Sequence, residues 1–283
     1  IHPRTGEPAV PRIPGEAFLT SSETPQDAFA GWLTSDDNPY FAKAIVNRLW
    51  KAMMGRGLVE PVDDLRLTNP ATHPELLELL ADEFVSQGFQ FRPMLRMIAL
   101  SEAYARGTHV DTPSNDEKYY SQTIRKPLEP EVLADAISDV LGVAEAYGSL
   151  PAGTRAVALI DPATESSSLD VLGRCSRDSS CESGSSTATG GDLSRKLHWF
   201  NGGLLNKRLQ SENGRLSALI ESGASNLEVV ESFYAAALTR PPSQQERAYW
   251  KTQLGDVDGP NRRSLLEDFV WALLSTEEFT TNH

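Results

Sequence analysis

The chain has 283 residues, 40% of them apolar and 23% charged, with a formal net charge of −13. That composition supports a buried core of one large or two small domains. The acidic balance argues against nucleic acid and anionic membranes as partners, because phosphate binding needs a basic surface. No apolar run approaches the ~20 residues that span a bilayer.

Residues 1–22 are rich in Pro and Gly and predict an extended arm. The chain begins at Ile1 without methionine, which points to a processed product or a piece of a longer precursor. Thr24-Pro25 predicts a helix start, with Thr24 as cap and Ala28, Phe29, Trp32 and Leu33 as the apolar stripe. Asn38-Pro39 predicts the next start. There Phe41, Ala44, Ile45, Leu49, Ala52 and Met53 recur at helical spacing, and Gly55 and Gly57 end the helix.

Thr72 is the expected cap of a third helix, in a capping box with Glu75. Leu76, Leu77, Leu80, Ala81 and Phe84 form its inner face, and Gly88 stops it. Residues 93–104 predict a fourth helix with Met94, Leu95, Ile98 and Ala99 inward. Residues 130–141 predict a fifth.

Helical periodicity disappears over 143–191, where Val157 to Ile160 is at most a short strand and Gly and Ser dominate 179–191. A loop of that length is functional or mobile. Helices are expected again at 192–200, 203–210, 212–221, 225–238, 243–254 and 261–279. In the last third Pro241-Pro242 breaks one helix, Ser243 caps the next, and aromatic residues join three helices.

The predicted class is mainly α, an irregular multi-helix array with a long Gly/Ser-rich insertion. Its parts are an arm (1–22), an N-terminal helical subdomain (23–142), the insertion (143–191) and a C-terminal helical subdomain (192–283).

Candidate chemistry gathers near the second helix. Arg48 interrupts the apolar stripe, so it is expected to be partly buried and to need an acceptor. Asp63 and Asp64 are its natural partners. In one reading Asn47, Arg48, Trp50 and Arg66 hold an anionic or sugar ligand beside Asp63 or Asp64. In the other, which carries more weight, an arginine–carboxylate clamp pins the loop to the helix.

His73 is a candidate acid–base group or metal ligand, or simply a residue at a helix start. Asp63, Asp64 and Asn69 are a candidate calcium set. His198, Trp199 and Asn201, beside Gly202-Gly203, are candidates to line a carbohydrate or peptide groove, with core packing as the alternative. The haem-attachment, His-Glu-x-x-His, phosphate-loop and nucleophile-elbow motifs do not occur. Cys175 and Cys181 share one polar loop; they are either two free thiols or a bridge worth about 2 kcal/mol.

The run Asn38-Pro39-Tyr40-Phe41 through Asn47-Arg48-Leu49-Trp50, continuing from Gly55 to Arg66, resembles the planctomycete cytochrome c-associated C-terminal domain of unknown function, number fifteen-fifty-three among such domains. His2 to Glu7, Thr72 to Leu77, Arg125 to Glu131, Leu172 to Cys175 with Cys181-Glu182, Phe269 to Phe279 and Asn282-His283 extend the resemblance over the whole chain. The run Cys181-Glu182-Ser183-Gly184 departs from the Cys-Glu-Cys-Glu-Arg common among relatives. Residues 225–279 also resemble a helical module of surface proteins, number forty-two-fourteen.

The resemblance implies export to the periplasm, cell surface or medium, and with it an oxidised Cys175–Cys181 pair. It implies partners among envelope or extracellular proteins, including c-type cytochromes, and glycans. Haem would sit on an upstream domain or partner and not on this chain.

The expected function is a non-catalytic interaction or scaffold module. One alternative is an enzyme or binding protein in breakdown of polysaccharide or sulfated glycan. Asp63, Asp64 and His73 would then do acid–base work, with Arg48 and Arg66 on anionic substituents. The other alternative is a structural subunit of a larger extracellular assembly.

Overall fold

The computed structural model describes residues 1, 3–13, 19, 24–36, 38–107, 117–161, 163–174, 203–255 and 260–282. The protein is mainly α-helical, with twelve α-helices among the described residues and a single two-stranded sheet. The chain divides into two compact units, Ile1–Ile124 and Arg125–His283.

The N-terminal unit holds α1 (Pro25–Leu33), α2 (Phe41–Met54), α3 (Pro74–Ser86) and α4 (Phe91–Ala99). The described residues of the arm are exposed apart from Ile13 and the half-buried Leu19. Helix α1 buries no residue, and its expected cap Thr24 makes no side-chain capping bond. Asn38 does the capping work at α2: its Oδ1 accepts from the Tyr40 and Phe41 N–H groups, both at 2.9 Å. Gly55 ends α2 in the left-handed region at φ +85°, which a glycine adopts without a Cβ penalty.

The buried stripe of α2 is Ala42, Val46, Asn47, Trp50 and Met54. It is rotated by one residue from the expected one, with Ile45, Leu49 and Met53 at its edge. That rotation turns Asn47 inward and Arg48 outward. Helix α3 buries Leu77, Leu80, Ala81 and Phe84 against this stripe. Its N-cap residue is His73, not Thr72, whose hydroxyl donates to the Leu58 carbonyl instead. In α4 only Met94 and Ile98 are buried, while Leu95 and Ala99, expected inward, are exposed.

The second unit contains α5 (Pro130–Leu141), α6 (Ser167–Leu172), α7 (Gly203–Leu209), α8 (Arg215–Glu221), α9 (Asn226–Leu238), α10 (Gln244–Leu254), α11 (Pro260–Leu274) and α12 (Glu277–Thr280). Helix α5 packs here, with Leu133, Ala134, Ile137, Val140 and Leu141 in the core of this unit. Helix α9 is central: Val229, Val230 and Phe233 are fully enclosed. Ser225 and Ser243 each make a complete capping box, with Glu228 and Glu246 respectively. Phe269 of α11 meets Phe233, Tyr234 and Trp250 at ring distances of 6.2, 6.3 and 4.8 Å. The strand Lys126–Pro127 pairs antiparallel with Thr281–Asn282, tying the two ends of the unit together.

The expected insertion is corrected in its first part. Residues 156–158 form a 3₁₀ turn and not a strand, α6 is helical, and Tyr147, Ala156, Leu169 and Leu172 are core residues. The expected disulfide finds no support: none is present among the described residues, and Cys175 and Cys181 lie outside them. The helix expected at 192–200 also lies outside them.

Candidate functional site

The sequence candidates of the N-terminal unit meet at the segment that follows α2. Residues Leu58, Val59 and Val62 are apolar and buried, so their backbone polar groups need partners away from water. Asn47 supplies three of them. Its Nδ2 donates to the Val59 carbonyl at 3.0 Å and the Val62 carbonyl at 2.7 Å. Its Oδ1 accepts from the Val59 N–H at 3.0 Å. The side chain is 0% exposed, so it is spent on the backbone and offers nothing to a ligand.

Gly57 makes this approach feasible. A Cβ there would stand 2.5 Å from the Val59 carbonyl oxygen and 3.1 Å from Asn47 Oδ1. The loop is fastened at further points. The Gly57 N–H donates to Glu60 Oε1 at 2.7 Å, and Lys51 lies 3.1 Å from that oxygen. Tyr120 donates its hydroxyl to the Gly57 carbonyl at 2.7 Å. Burial pushes the Tyr120 hydroxyl pKa up. Both the N–H and the hydroxyl of Thr72 donate to the Leu58 carbonyl, at 2.8 and 3.2 Å.

Arg48 reaches Asp63, not Asp64. The contact is two-pronged: Nε to Oδ1 at 2.7 Å and Nη2 to Oδ2 at 2.6 Å. Contrary to expectation the pair is exposed, with 58% of the Arg48 side chain and 38% of the Asp63 side chain in solvent. Arg66 makes the same fork with Asp64, both contacts at 2.6 Å. The guanidinium of Arg48 lowers the Asp63 pKa, and that of Arg66 lowers the Asp64 pKa. A carboxylate so stabilised as an anion is a poor proton acceptor near neutral pH, where a general base needs a pKa close to the working pH.

Asn69 donates its Nδ2 to the Asp64 and Glu60 carbonyls, at 2.9 and 3.2 Å. It braces the turn from its amide end. Among the described residues no group of three or more His, Cys, Asp or Glu side chains is placed to hold a metal ion. His73 Nδ1 lies 3.2 Å from Thr72 Oγ1, and its ring packs against Tyr119 and Tyr120 at 5.8 and 5.9 Å. Trp50 is 4% exposed and meets Tyr120 edge-on at 5.5 Å, which makes it a core residue. His198, Trp199 and Asn201 lie outside the described residues.

Lys51, Glu60 and Tyr120 were not among the sequence candidates, and Gly57 was read only as part of a helix end. The Gly55-Arg56-Gly57 doublet carried a signal for Gly57, since one glycine suffices to end a helix. Nothing local marked Tyr120, whose partners lie more than sixty residues upstream.

The fold and this cluster define a mainly helical protein in which an amide-centred latch holds a buried loop against its helix. The chain belongs to the family PSD1, protein of unknown function (DUF1553), whose model matches residues 25–254. It matches no curated protein and no solved structure.

Proposed function

We propose that the chain is a non-catalytic helical interaction module of an exported protein. The observation that carries this reading is the state of the candidate acid–base groups. Asp63 and Asp64 are each gripped by a guanidinium, and Asn47 is consumed by backbone bonds. In the N-terminal unit what remains for contact with other molecules is surface. Helix α4 exposes Phe91, Leu95 and the adjoining Leu100 beside Arg92 and Arg96, and neither arginine pairs with a described residue. This apolar face flanked by two arginines suits a partner with an apolar, acidic patch, and the partners the family resemblance implies are envelope proteins, c-type cytochromes among them.

The test has two arms. Affinity capture from a native envelope fraction is expected to recover stoichiometric protein partners, and the loss of a partner with Arg92→Glu/Arg96→Glu would locate the contact. A panel of neutral, uronic and sulfated polysaccharides is expected to give no turnover. Turnover abolished by Asp64→Asn would replace this reading with a glycan-degrading enzyme.

A further inference from the structure

The C-terminal unit contains a pocket of about 310 Å³, lined by Asn226, Leu227, Trp250, Lys251, Leu254 and Arg262 among others. That volume is at the small end of ligand sites. Its walls are held in place from behind. Trp250 Nε1 donates to the Tyr234 hydroxyl at 3.1 Å, and its ring meets Phe269 at 4.8 Å and 74°. Arg262 Nε donates to Asn226 Oδ1 at 2.8 Å, and its Nη2 donates to the Ala224 carbonyl. These two bonds fix the guanidinium while using two of its five N–H groups. The Lys251 ammonium has no partner among the described residues.

The described lining therefore carries two cations and no carboxylate, in a chain of net charge −13. The first turn of α9 is not the source of this character. Its capping box is closed, with Glu228 turned back to accept from the Ser225 N–H at 2.7 Å and not lining the pocket. The apolar part of the wall is the indole of Trp250 with Leu227, Val230 and Leu254, and Ser225, Asn226 and Gly255 add to the lining.

We propose that this pocket binds a small organic carboxylate with a flat apolar body. The carboxylate meets Lys251 and Arg262, and the body lies along Trp250. A guanidinium held by two neighbours donates at little entropic cost, and a mobile ammonium adds the second charge. The inference stands apart from the interaction-module reading and does not depend on it.

Titration of the full chain with benzoate and indole-3-acetate, and with the corresponding neutral amides, tests it. Isothermal calorimetry and amide NMR shifts are the readouts. The acids are expected to bind at about 0.1–1 mM, as suits ligands of this size. The shifts should fall on residues 223–230 and 250–255. The amides should bind at least about tenfold more weakly, the worth of one charge-assisted contact. Lys251→Met, at an exposed position without a partner, should weaken acid binding by about the same factor and leave amide binding and thermal unfolding unchanged. The proposal is overturned if no shifts appear at about 10 mM acid, if acid and amide bind equally, or if Lys251→Met keeps the full preference for the acid.

Discussion

The two units fasten irregular segments to their helices by different chemistry. In the N-terminal unit the buried fastener is neutral: the Asn47 amide bonds one N–H and two C=O groups of the loop, while the charged forks of Arg48 and Arg66 lie outside. In the C-terminal unit the fasteners are ionic. Arg208 pairs with Glu145 at 2.6 Å, with about a tenth of each side chain exposed, and Ser138 and Ser166 complete the group. Arg240 forks onto both Glu246 and Glu278 while lying 5.4 Å from the centre of the Tyr234 ring.

An amide can satisfy backbone donors and acceptors together and carries no charge into the interior. An ion pair joins side chain to side chain and must offset a larger desolvation cost. The first kind of fastener should ignore pH and salt. The second should not tolerate the loss of one partner.

The largest effect is expected from breaking the buried pair. Arg208→Met leaves Glu145 without its cation and should cost about 3–5 kcal/mol in urea unfolding. Adding Glu145→Leu should recover much of that loss, because the stranded charge is removed as well. A loss below about 1 kcal/mol for the single variant would erase the contrast between the units. Next comes Asn47→Ala, which strands the Val59 N–H and the Val59 and Val62 carbonyls. It should cost about 3 kcal/mol, to the same extent at pH 5 and pH 8. Gly57→Ala should destabilise the same loop by about 2 kcal/mol, since its Cβ cannot fit 2.5 Å from the Val59 carbonyl oxygen without a backbone shift.

The Arg240 hub sharpens the pH side of the contrast. Chiefly through its bonds to Arg240, Glu246 has its pKa lowered from 4.5 to about 2. A carboxylate depressed in the folded state stabilises fully above its unfolded pKa and loses that contribution as pH falls through the folded one. The contribution of Glu246 should therefore be complete above pH ~5 and fade towards pH ~2. About a third of each side chain is exposed, so screening reduces it to about 1–2 kcal/mol. Unfolding at pH 7 and pH 3 should show the gap between wild type and Glu246→Gln narrowing at the lower value.

The contrast also explains what could be read from sequence. Local chemistry was legible. Asn38-Pro39 before α2, Gly55 after it, Ser243 before α10 and the bounds of α5 all follow from residues within a turn of one another. Thr72 misled because a tertiary acceptor, the Leu58 carbonyl, took the hydroxyl that a helix start would have used.

The one-residue rotation of the α2 stripe was invisible for a related reason. Ala42, Ile45, Val46, Leu49, Trp50 and Met53 offer two nearly equal apolar faces, and the one turned inward is the one that brings the Asn47 amide to the loop. Arg48 and Asn47 exchanged roles accordingly: the charge expected inside is outside, and the neutral neighbour is the lock. The Asn47, Tyr120, Arg208 and Arg240 contacts all join residues distant in the chain or on different elements, and a single sequence has no means of showing that two such residues meet.

The smallest effect is the most diagnostic for the candidate site. If the Arg48–Asp63 fork were the lock, Asp63→Asn would cost as much as Asn47→Ala. With 58% and 38% of the two side chains in water, the Coulomb gain is screened and is opposed by the entropy of holding two flexible side chains. The expected loss is under about 1 kcal/mol, shrinking further at about 1 M salt. Asn keeps the shape and one acceptor but loses the charge and the second hydrogen bond, so any larger loss reports the ion pair as a whole. Such a loss would move the fastening of this loop from the amide to the ion pair, and the N-terminal unit would then follow the rule of its neighbour.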